Sequence, residues 1–196
     1  MNIMRTKMVY KDGVKTFEPI KVYEPRESLT PLGFMICDGG REDAGYKGDA
    51  GDCVTRAISI ATAWASEGRY EYEKHRSELM KRKAKWRKTS RSKRAKASKS
   101  NSVRNGTPKE VYRPYLEDLG WERVSLVKFG DPTRKEMVKE DIPNDIVILE
   151  VRKHLVTCAN HVVLDTWDCR EATLFVDGFA THETKPRTVT AYWRKK

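Results

Sequence analysis

Cys53 is the side chain in this sequence best suited to act as a nucleophile. It follows a loop containing Gly45, Gly48 and Gly51, residues that let the backbone approach a ligand closely. The residues after it favour a helix, so its sulfur should lie at a helix N-terminus, where partial positive charge favours thiolate over thiol. Asp52 is the predicted N-cap of that helix. The sequence therefore predicts an activated thiol, and the alternative is a small buried cysteine.

A general base and a carboxylate to orient it occur in one predicted β-hairpin. The stretch from His154 to Asp165 alternates in polarity, and Ala159-Asn160 is its predicted turn because Asn tolerates positive φ. This register places His154 directly opposite Asp165, with Cβ atoms about 5 Å apart. Asp165 would then hold the imidazole in the tautomer that a base needs. His161 is an alternative base on the same predicted face, and a one-residue change of register would separate His154 from Asp165.

Apolar periodicity predicts the elements that position these groups. Helices are predicted from Cys53, over about Tyr70 to Met80, and from Thr107 as N-cap, with Pro108 as first helical residue, to Gly120. Strands follow from Trp121 onward, because β-branched residues and alternation recur there. Helices first and strands second predict an α+β domain with a mainly antiparallel sheet. The predicted strands are Asp145–Val151, His154–Cys158, His161–Trp167, Thr173–Val176 and Thr188–Trp193.

Charge is concentrated in one segment. The 196 residues carry a formal net charge of +11, but residues 81–104 hold 12 Lys or Arg and no Asp or Glu, and the remainder is nearly neutral. The composition predicts a flexible insertion over 81–106, whose first half could prolong the preceding helix, between parts of a domain spanning 41–196; residues 1–40 are predicted to be an extended arm. Trp86 is the segment's one aromatic residue, so binding to nucleic acid or an acidic protein would be non-specific. The candidate polyanion-binding residues are Lys81, Arg82, Lys83, Lys85, Arg87, Lys88, Arg91, Lys93, Arg94 and Lys96.

Several classes of protein are disfavoured. No apolar stretch approaches the roughly 20 residues of a membrane helix, and the N-terminus lacks the apolar region of a signal peptide. We therefore expect a cytoplasmic protein that does not bind membranes, in which Cys37, Cys53, Cys158 and Cys169 are thiols. No metal or cofactor is predicted, because no Cys-x-x-Cys pair occurs. The alternative is a metal held by Cys158 and His161 with Cys169 or Cys37.

Short motifs resemble those of papain-like cysteine peptidases (clan CA type), in a compact form found in phage and bacterial proteins. The motif GDCVTRA at 51–57 resembles their nucleophile helix; HLV at 154–156 and DTWD at 165–168 resemble the His strand and the following acid strand; LGW at 119–121 is also similar. The resemblance covers about residues 45–80 and 105–195. It implies a papain-like fold, with the nucleophile helix packed on the sheet.

The resemblance also implies roles for individual residues. Cys53 would be the nucleophile, His154 the base and Asp165 the orienting acid. The family uses a Gln shortly before the Cys as an oxyanion donor, but Lys47 occupies that spacing here, so the backbone N–H of Cys53 is the remaining candidate donor.

Three functional hypotheses follow. The first is a thiol hydrolase or acyl-transfer enzyme acting on a peptide or amide substrate, such as a peptidase, isopeptidase or amidase. The second is a polyanion-binding protein on a catalytically inactive papain-like scaffold, and the third is a virion-associated structural protein.

Overall fold

The computed structural model describes residues 6–11, 14–19, 29–48, 50–127, 134–176 and 179–196, with side chains described for 29–48, 50–127, 134–173 and 184–196. The elements in chain order are β1 (Thr6–Lys11), β2 (Val14–Pro19), β3 (Gly33–Ile36), α1 (Cys53–Ser66), α2 (Tyr72–Thr89), α3 (Lys93–Ala97), α4 (Lys109–Asp118), β4 (Trp121–Ser125), β5 (Lys135–Glu136), β6 (Ile146–Val151), β7 (His154–Ala159), β8 (Val162–Asp165), β9 (Glu171–Val176), β10 (Phe179–Pro186) and β11 (Thr188–Lys195).

A seven-stranded, mostly antiparallel sheet organises these elements. Its order is β3-β8-β7-β6-β11-β4, with β5 also paired to β11, and β3 runs parallel to β8. The pairs β1–β2 and β9–β10 form separate two-stranded sheets. The predicted α+β class is therefore confirmed. Residues 33–36, which the sequence assigned to an extended arm, form an edge strand of the main sheet. Within the described residues, no helix has both the length and the apolar character needed to cross a bilayer.

Both faces of the sheet are covered, which explains why β6 is almost continuously apolar. Successive residues of a strand point to opposite faces. Accordingly, Ile148 packs in a cluster with residues of the helices, whereas Val147 and Leu149 pack on the other side with Leu32 and Met137. The helical side buries Val54, Ile58, Leu79, Leu116, Trp121, Leu155 and Trp193.

The hairpin formed by β7 and β8 has a different register from the one predicted. Its pairs are Ala159 with Val162, Cys158 with Val163, and Thr157 with Leu164, so the predicted Ala159-Asn160 turn is wrong. The turn residues are Asn160 and His161, with φ values of 49° and 63°. Two consecutive residues of positive φ match the twist of antiparallel strands. Ala159 stays in the strand because its side chain is buried.

The basic segment is more ordered than its composition suggested. Residues 81–89 continue α2, and α3 follows. Ala95 and Val103 are buried in this segment, and Lys83 is buried with its ammonium group donating to the carbonyls of Ser102, at 2.5 Å, and Gly106, at 3.0 Å. The expectation that the first half of the segment prolongs the preceding helix is therefore confirmed, and part of its second half packs against the domain.

The predicted start of α4 is wrong by one residue. Pro108, rather than Thr107, occupies the N-cap, and the helix begins at Lys109. At its other end, Gly120 has φ +77° directly after the C-cap residue Leu119, as predicted for a C′ glycine.

Candidate active site

Helix α1 and strand β7 bring Cys53 and His154 to the same end of the molecule. Cys53 is the first residue of α1, and His154 is the first residue of β7. The two elements are joined by the Thr157 hydroxyl, which donates to the carbonyl of Ala57 at 2.7 Å. A buried hydrogen bond between a helix and a strand fixes how far each can slide. The relative position of the thiol and the imidazole is therefore set by the packing of whole elements.

His154 forms a short hydrogen bond with Asp165, although the two residues are not opposite in the hairpin. Its Nε2 lies 2.5 Å from Oδ2 of Asp165, and both side chains are largely buried. The pairs found in β7 and β8 place Asp165 diagonally across from His154 rather than facing it. Moving the turn by one residue along the chain shifts the strand pairing by two residues. A shift of two residues keeps His154 and Asp165 on the same face of the sheet. The predicted contact is thus made, through a register that differs from the predicted one.

The Cys53 thiol lies beside His154 in the lining of one cleft, and the two groups influence each other electrostatically. Burial raises the pKa of Cys53, but the interaction with His154, including the positive charge of the imidazolium, outweighs this effect, so the pKa is lowered. Burial lowers the pKa of His154, but the hydrogen bond with Asp165 and the neighbouring Cys169 and Cys53 raise it to about 11. Opposite shifts in two interacting groups favour a thiolate–imidazolium pair. By contrast, burial raises the pKa of Cys158 to about 12.

Arg56 connects the carboxylate of Asp165 to that of Asp52. Its guanidinium donates to Oδ1 of Asp165 at 2.9 Å and to Oδ1 of Asp52, and all three side chains are at most 4% exposed. Burial raises the pKa of Asp165, but the His154 hydrogen bond and the two nearby positive charges hold it below its usual range. Arg56 therefore immobilises the carboxylate that orients the imidazole.

Asp52 lies at the N-cap position, but its side chain does not cap the helix. No capping hydrogen bond is made by the carboxylate; it accepts from Arg56 and, at 2.6 Å, from the hydroxyl of Tyr72. The predicted side-chain cap is replaced because a fully buried carboxylate is better satisfied by a guanidinium and a phenol. Asp52 thus supports Arg56 instead of the helix N-terminus.

A cleft of about 880 Å³ opens beside Cys53 and His154. The loop containing Asn105 and Thr107 lines it, as does Trp167, whose ring packs on the imidazole with centroids 5.4 Å apart. Lys47, predicted from spacing to lie near the oxyanion, lines a separate depression with Cys37 and Tyr70 instead. The structure therefore brings together Cys53, His154 and Asp165 and leaves Lys47 apart.

Three potential metal ligands also lie close together. Ligand atoms of His154, Asp165 and Cys169 are within 4.8 Å of one another. However, the guanidinium of Arg56 lies 2.9 Å from the Asp165 carboxylate, and its charge opposes a cation at this point. The ring of His161, a ligand in the alternative metal site, contacts the carbonyl of Ile142 at 2.9 Å. The donor set is thus poorly suited to a metal.

The ten candidate polyanion-binding residues fall into two groups. Four have partners or are buried: Lys83 as described, Arg82 with Glu78 and Asp118, Arg87 with the carbonyl of Ser98, and Arg94 at 3.8 Å from Glu110. The other six are exposed to solvent: Lys81, Lys85, Lys88, Arg91, Lys93 and Lys96.

The sequence prediction did not include Arg56, Asn105 or Cys169 in the site. Arg56 had a readable signal, since Asp52 and Arg56 have the i,i+4 spacing of helical ion pairs. Asn105 and Cys169 had none, because only the tertiary fold brings them to the site.

No protein-family model, no curated protein and no solved structure matches this chain.

Proposed function

We propose that this protein is a cysteine hydrolase or acyl-transfer enzyme acting on a peptide or amide bond. One observation carries the proposal: Cys53, at the start of α1, lines the same cleft as His154, whose Nε2 lies 2.5 Å from the Asp165 carboxylate. A nucleophile and a base in one cleft, with an acid that orients the base, are the arrangement that acyl transfer by a thiol needs. The position of Cys53 at the start of α1, with most strands of the main sheet following the helices, supports a papain-like frame.

The reaction follows from the thiolate–imidazolium pair. The Cys53 thiolate attacks the carbonyl carbon, and the carbonyl π electrons move onto oxygen. The imidazolium of His154 gives its proton to the leaving amine as the C–N bond breaks, which leaves a thioester on Cys53. Neutral His154 then removes a proton from water, hydroxide adds to the thioester carbonyl, and the Cys53 thiolate leaves, restoring the pair.

The oxyanion would be stabilised by the backbone N–H of Cys53 and the side-chain amide of Asn105. The first residue of a helix has no partner for its N–H within the helix. Asn105 reaches the cleft because Gly51 pairs with it in a parallel bridge, and the N–H of Gly106 donates to the Gly51 carbonyl at 2.9 Å. A Cβ on Gly51 would lie 3.3 Å from the Gly106 nitrogen, so this glycine permits the close approach.

The test of the proposal is selective alkylation of Cys53. With iodoacetamide at neutral pH, Cys53 should react faster than Cys37, Cys158 and Cys169, and His154→Ala should abolish that advantage. Cys37→Ser is the control, because it removes the other thiol that is not fully buried. Equal reaction of Cys53 and Cys37, unchanged in the His154 variant, would contradict the proposal.

The oxyanion assignment has its own test. Alkylation of a thiolate forms no oxyanion, whereas reaction with an activated acyl ester does. Asn105→Ala should therefore slow acylation of Cys53 about 10²–10³-fold and leave its alkylation unchanged. Thr107→Ala is the matched control, because Thr107 also lines the cleft. If the threonine variant alone were slow, Thr107 rather than Asn105 would be the donor.

A second candidate function is polyanion binding on an inactive scaffold. The six exposed cations in and between α2 and α3 favour it, because they have the density needed to contact several phosphates. Reversing their charge should abolish salt-sensitive retention on duplex DNA, and unchanged retention would exclude this function. Point substitution is preferable to deleting residues 81–104, because Ala95 and Val103 are buried.

A further inference from the structure

The cleft beside Cys53 carries positive charge that the protein does not neutralise. Its one carboxylate among the described lining residues is Glu150, which accepts from Arg113 and Arg123 at 2.7 and 2.9 Å. Two lining cations are also satisfied internally, Arg56 by buried carboxylates and Lys83 by backbone carbonyls. These groups therefore contribute little to the field that a substrate meets.

Three further cations remain at the rim of the cleft. Lys109 and Lys153 are exposed, and within the described part of the chain neither forms an ion pair with a carboxylate. Arg94 lies 3.8 Å from Glu110, but both side chains are well exposed, and such pairs are screened by solvent. With the Glu110 carboxylate included, the three rim cations leave a local charge close to +2.

The three rim cations come from separate elements that surround the nucleophile. Lys153 directly precedes the base His154, Lys109 begins α4, and Arg94 belongs to α3. Charges of one sign around a cleft with low-dielectric walls focus the field into it and attract ligands of the opposite sign. Trp86 and Tyr112 add half-buried aromatic surface to the same lining.

We infer that the substrate of this site is an acidic polypeptide, bound with its carboxylates against Arg94, Lys109 and Lys153. This inference rests on the proposed function, because a thiol that forms a thioester requires a carbonyl carbon. A nucleic acid could pair with the rim cations, but it would present to Cys53 a phosphodiester, which has no carbonyl carbon. A polypeptide rich in Asp and Glu satisfies both the charge and the chemistry, and a cleft of about 880 Å³ admits several of its residues.

The test uses three peptidyl vinyl sulfones of equal length with acidic, neutral or basic flanking residues. The rate of Cys53 labelling should be highest for the acidic probe, by about tenfold over the neutral one at low salt, and the advantage should shrink as salt rises. Two triple variants distinguish the effect of charge at the cleft rim from the effect of the protein's net charge. R94E/K109E/K153E should remove the advantage, whereas K81E/K85E/K88E, with the same change in net charge outside the cleft lining, should keep it.

Each contrary result has a distinct meaning. Equal labelling by all three probes would overturn the acidic substrate but leave the proposed function intact. Loss of the advantage in both triple variants would overturn the role of the rim. If duplex DNA blocked labelling and the acidic probe had no advantage, the cations would serve nucleic acid and the inference would be wrong. If no probe labelled Cys53 and iodoacetamide did not prefer it, the proposed function would fail as well.

Discussion

Two buried carboxylates on neighbouring parts of the sheet are paired with arginine in different ways. Glu150 has both oxygens occupied by Arg113, Arg123 and the indole N–H of Trp193. Asp165 gives one oxygen to Arg56 and the other to His154. Guanidinium and indole N–H groups do not give up their protons, whereas the imidazolium of His154 can pass its proton to another group during a reaction. The Glu150 cluster is therefore fixed in one charge state, whereas the Asp165 cluster includes a group able to transfer a proton.

The two clusters show that a buried arginine–carboxylate pair can occur both in a cluster of fixed charge and beside a group able to transfer a proton. Burial raises the pKa of Glu150, but hydrogen bonds from Arg123 and Arg113 hold it below its usual range. The pKa of Asp165 is lowered in the same way, by His154 together with Arg56. The electrostatics of the two carboxylates are thus alike. Their partners differ, and we expect the partners to decide whether a substitution affects activity or stability.

The largest expected effect is the loss of acyl transfer in His154→Ala. Without the imidazole, Cys53 has no base and no cationic partner, so the rate should fall about 10²–10⁴-fold. The measurement is steady-state hydrolysis of an activated ester. His161→Ala is the matched control, because His161 contacts the carbonyl of Ile142 instead. A similar loss in both variants would mean that His161 participates.

The comparison is tested directly by Asp165→Asn and Glu150→Gln, two changes that remove a charge and keep the shape. Asp165→Asn should slow acyl transfer about 10²–10⁴-fold, because the imidazolium loses its counter-charge. Glu150→Gln should leave acyl transfer nearly unchanged and reduce the free energy of unfolding by about 2 kcal/mol, because two arginines lose their anion.

Ester hydrolysis and urea unfolding should be measured on both variants. Should Glu150→Gln slow catalysis as much as Asp165→Asn, the two carboxylates would belong to one functional unit. Our distinction between a fixed cluster and a proton-transferring cluster would then be wrong.

A smaller effect, on stability, should separate the two sets of arginines. Arg56→Met leaves the carboxylates of Asp52 and Asp165 buried without their shared cation, and we expect a loss of about 3–5 kcal/mol in the free energy of unfolding. Arg113→Met should cost about 1 kcal/mol, because Arg123 still pairs with Glu150 and the removed side chain is 31% exposed. Chemical denaturation of both variants measures the difference, and equal losses would contradict it.

Part of this site could be predicted from the sequence, and part could not. Cys53, His154 and Asp165 were found because a glycine-rich loop before a helix and an alternating hairpin are local patterns. The hairpin register was not predicted correctly, because Asn160 belongs to both possible turns, Ala159-Asn160 and Asn160-His161, and the sequence does not show which of them forms. The contact survived this error because both registers keep the pair on one face.

Long-range contacts were beyond the sequence patterns. Arg56 reaches Asp165 across 109 residues of chain, so no local spacing reveals that interaction. In the basic segment the expected extension of the preceding helix is present over residues 81–89, whereas α3 and the burial of Ala95 and Val103 left no signal in the composition. Asn105 enters the cleft through one bridge to Gly51, which is too short a pairing to leave a sequence signature.

The smallest expected effect is a shift in the pH profile of Cys53 alkylation rather than a loss of reactivity. In the folded protein the pKa of Cys53 is lowered, so alkylation should continue below the ordinary thiol pKa and decline as the pH falls through the lowered value. In His154→Ala the imidazolium is gone and burial remains, so the pKa of Cys53 should rise. Glu150→Gln should leave the profile unmoved.

The same pair links stability to pH with opposite signs for its two members. The pKa of His154 is raised to about 11, so its stabilising contribution is complete below its unfolded pKa and is lost as pH rises through 11. The lowered pKa of Cys53 gives a contribution that is present above its unfolded pKa and lost as pH falls through the folded value. Alkylation rates and unfolding free energies measured across pH check both signs. An alkylation profile identical in the wild type and His154→Ala would mean that the imidazole does not ionise the thiol, and Cys53 and His154 would then be as fixed in charge state as the Glu150 cluster.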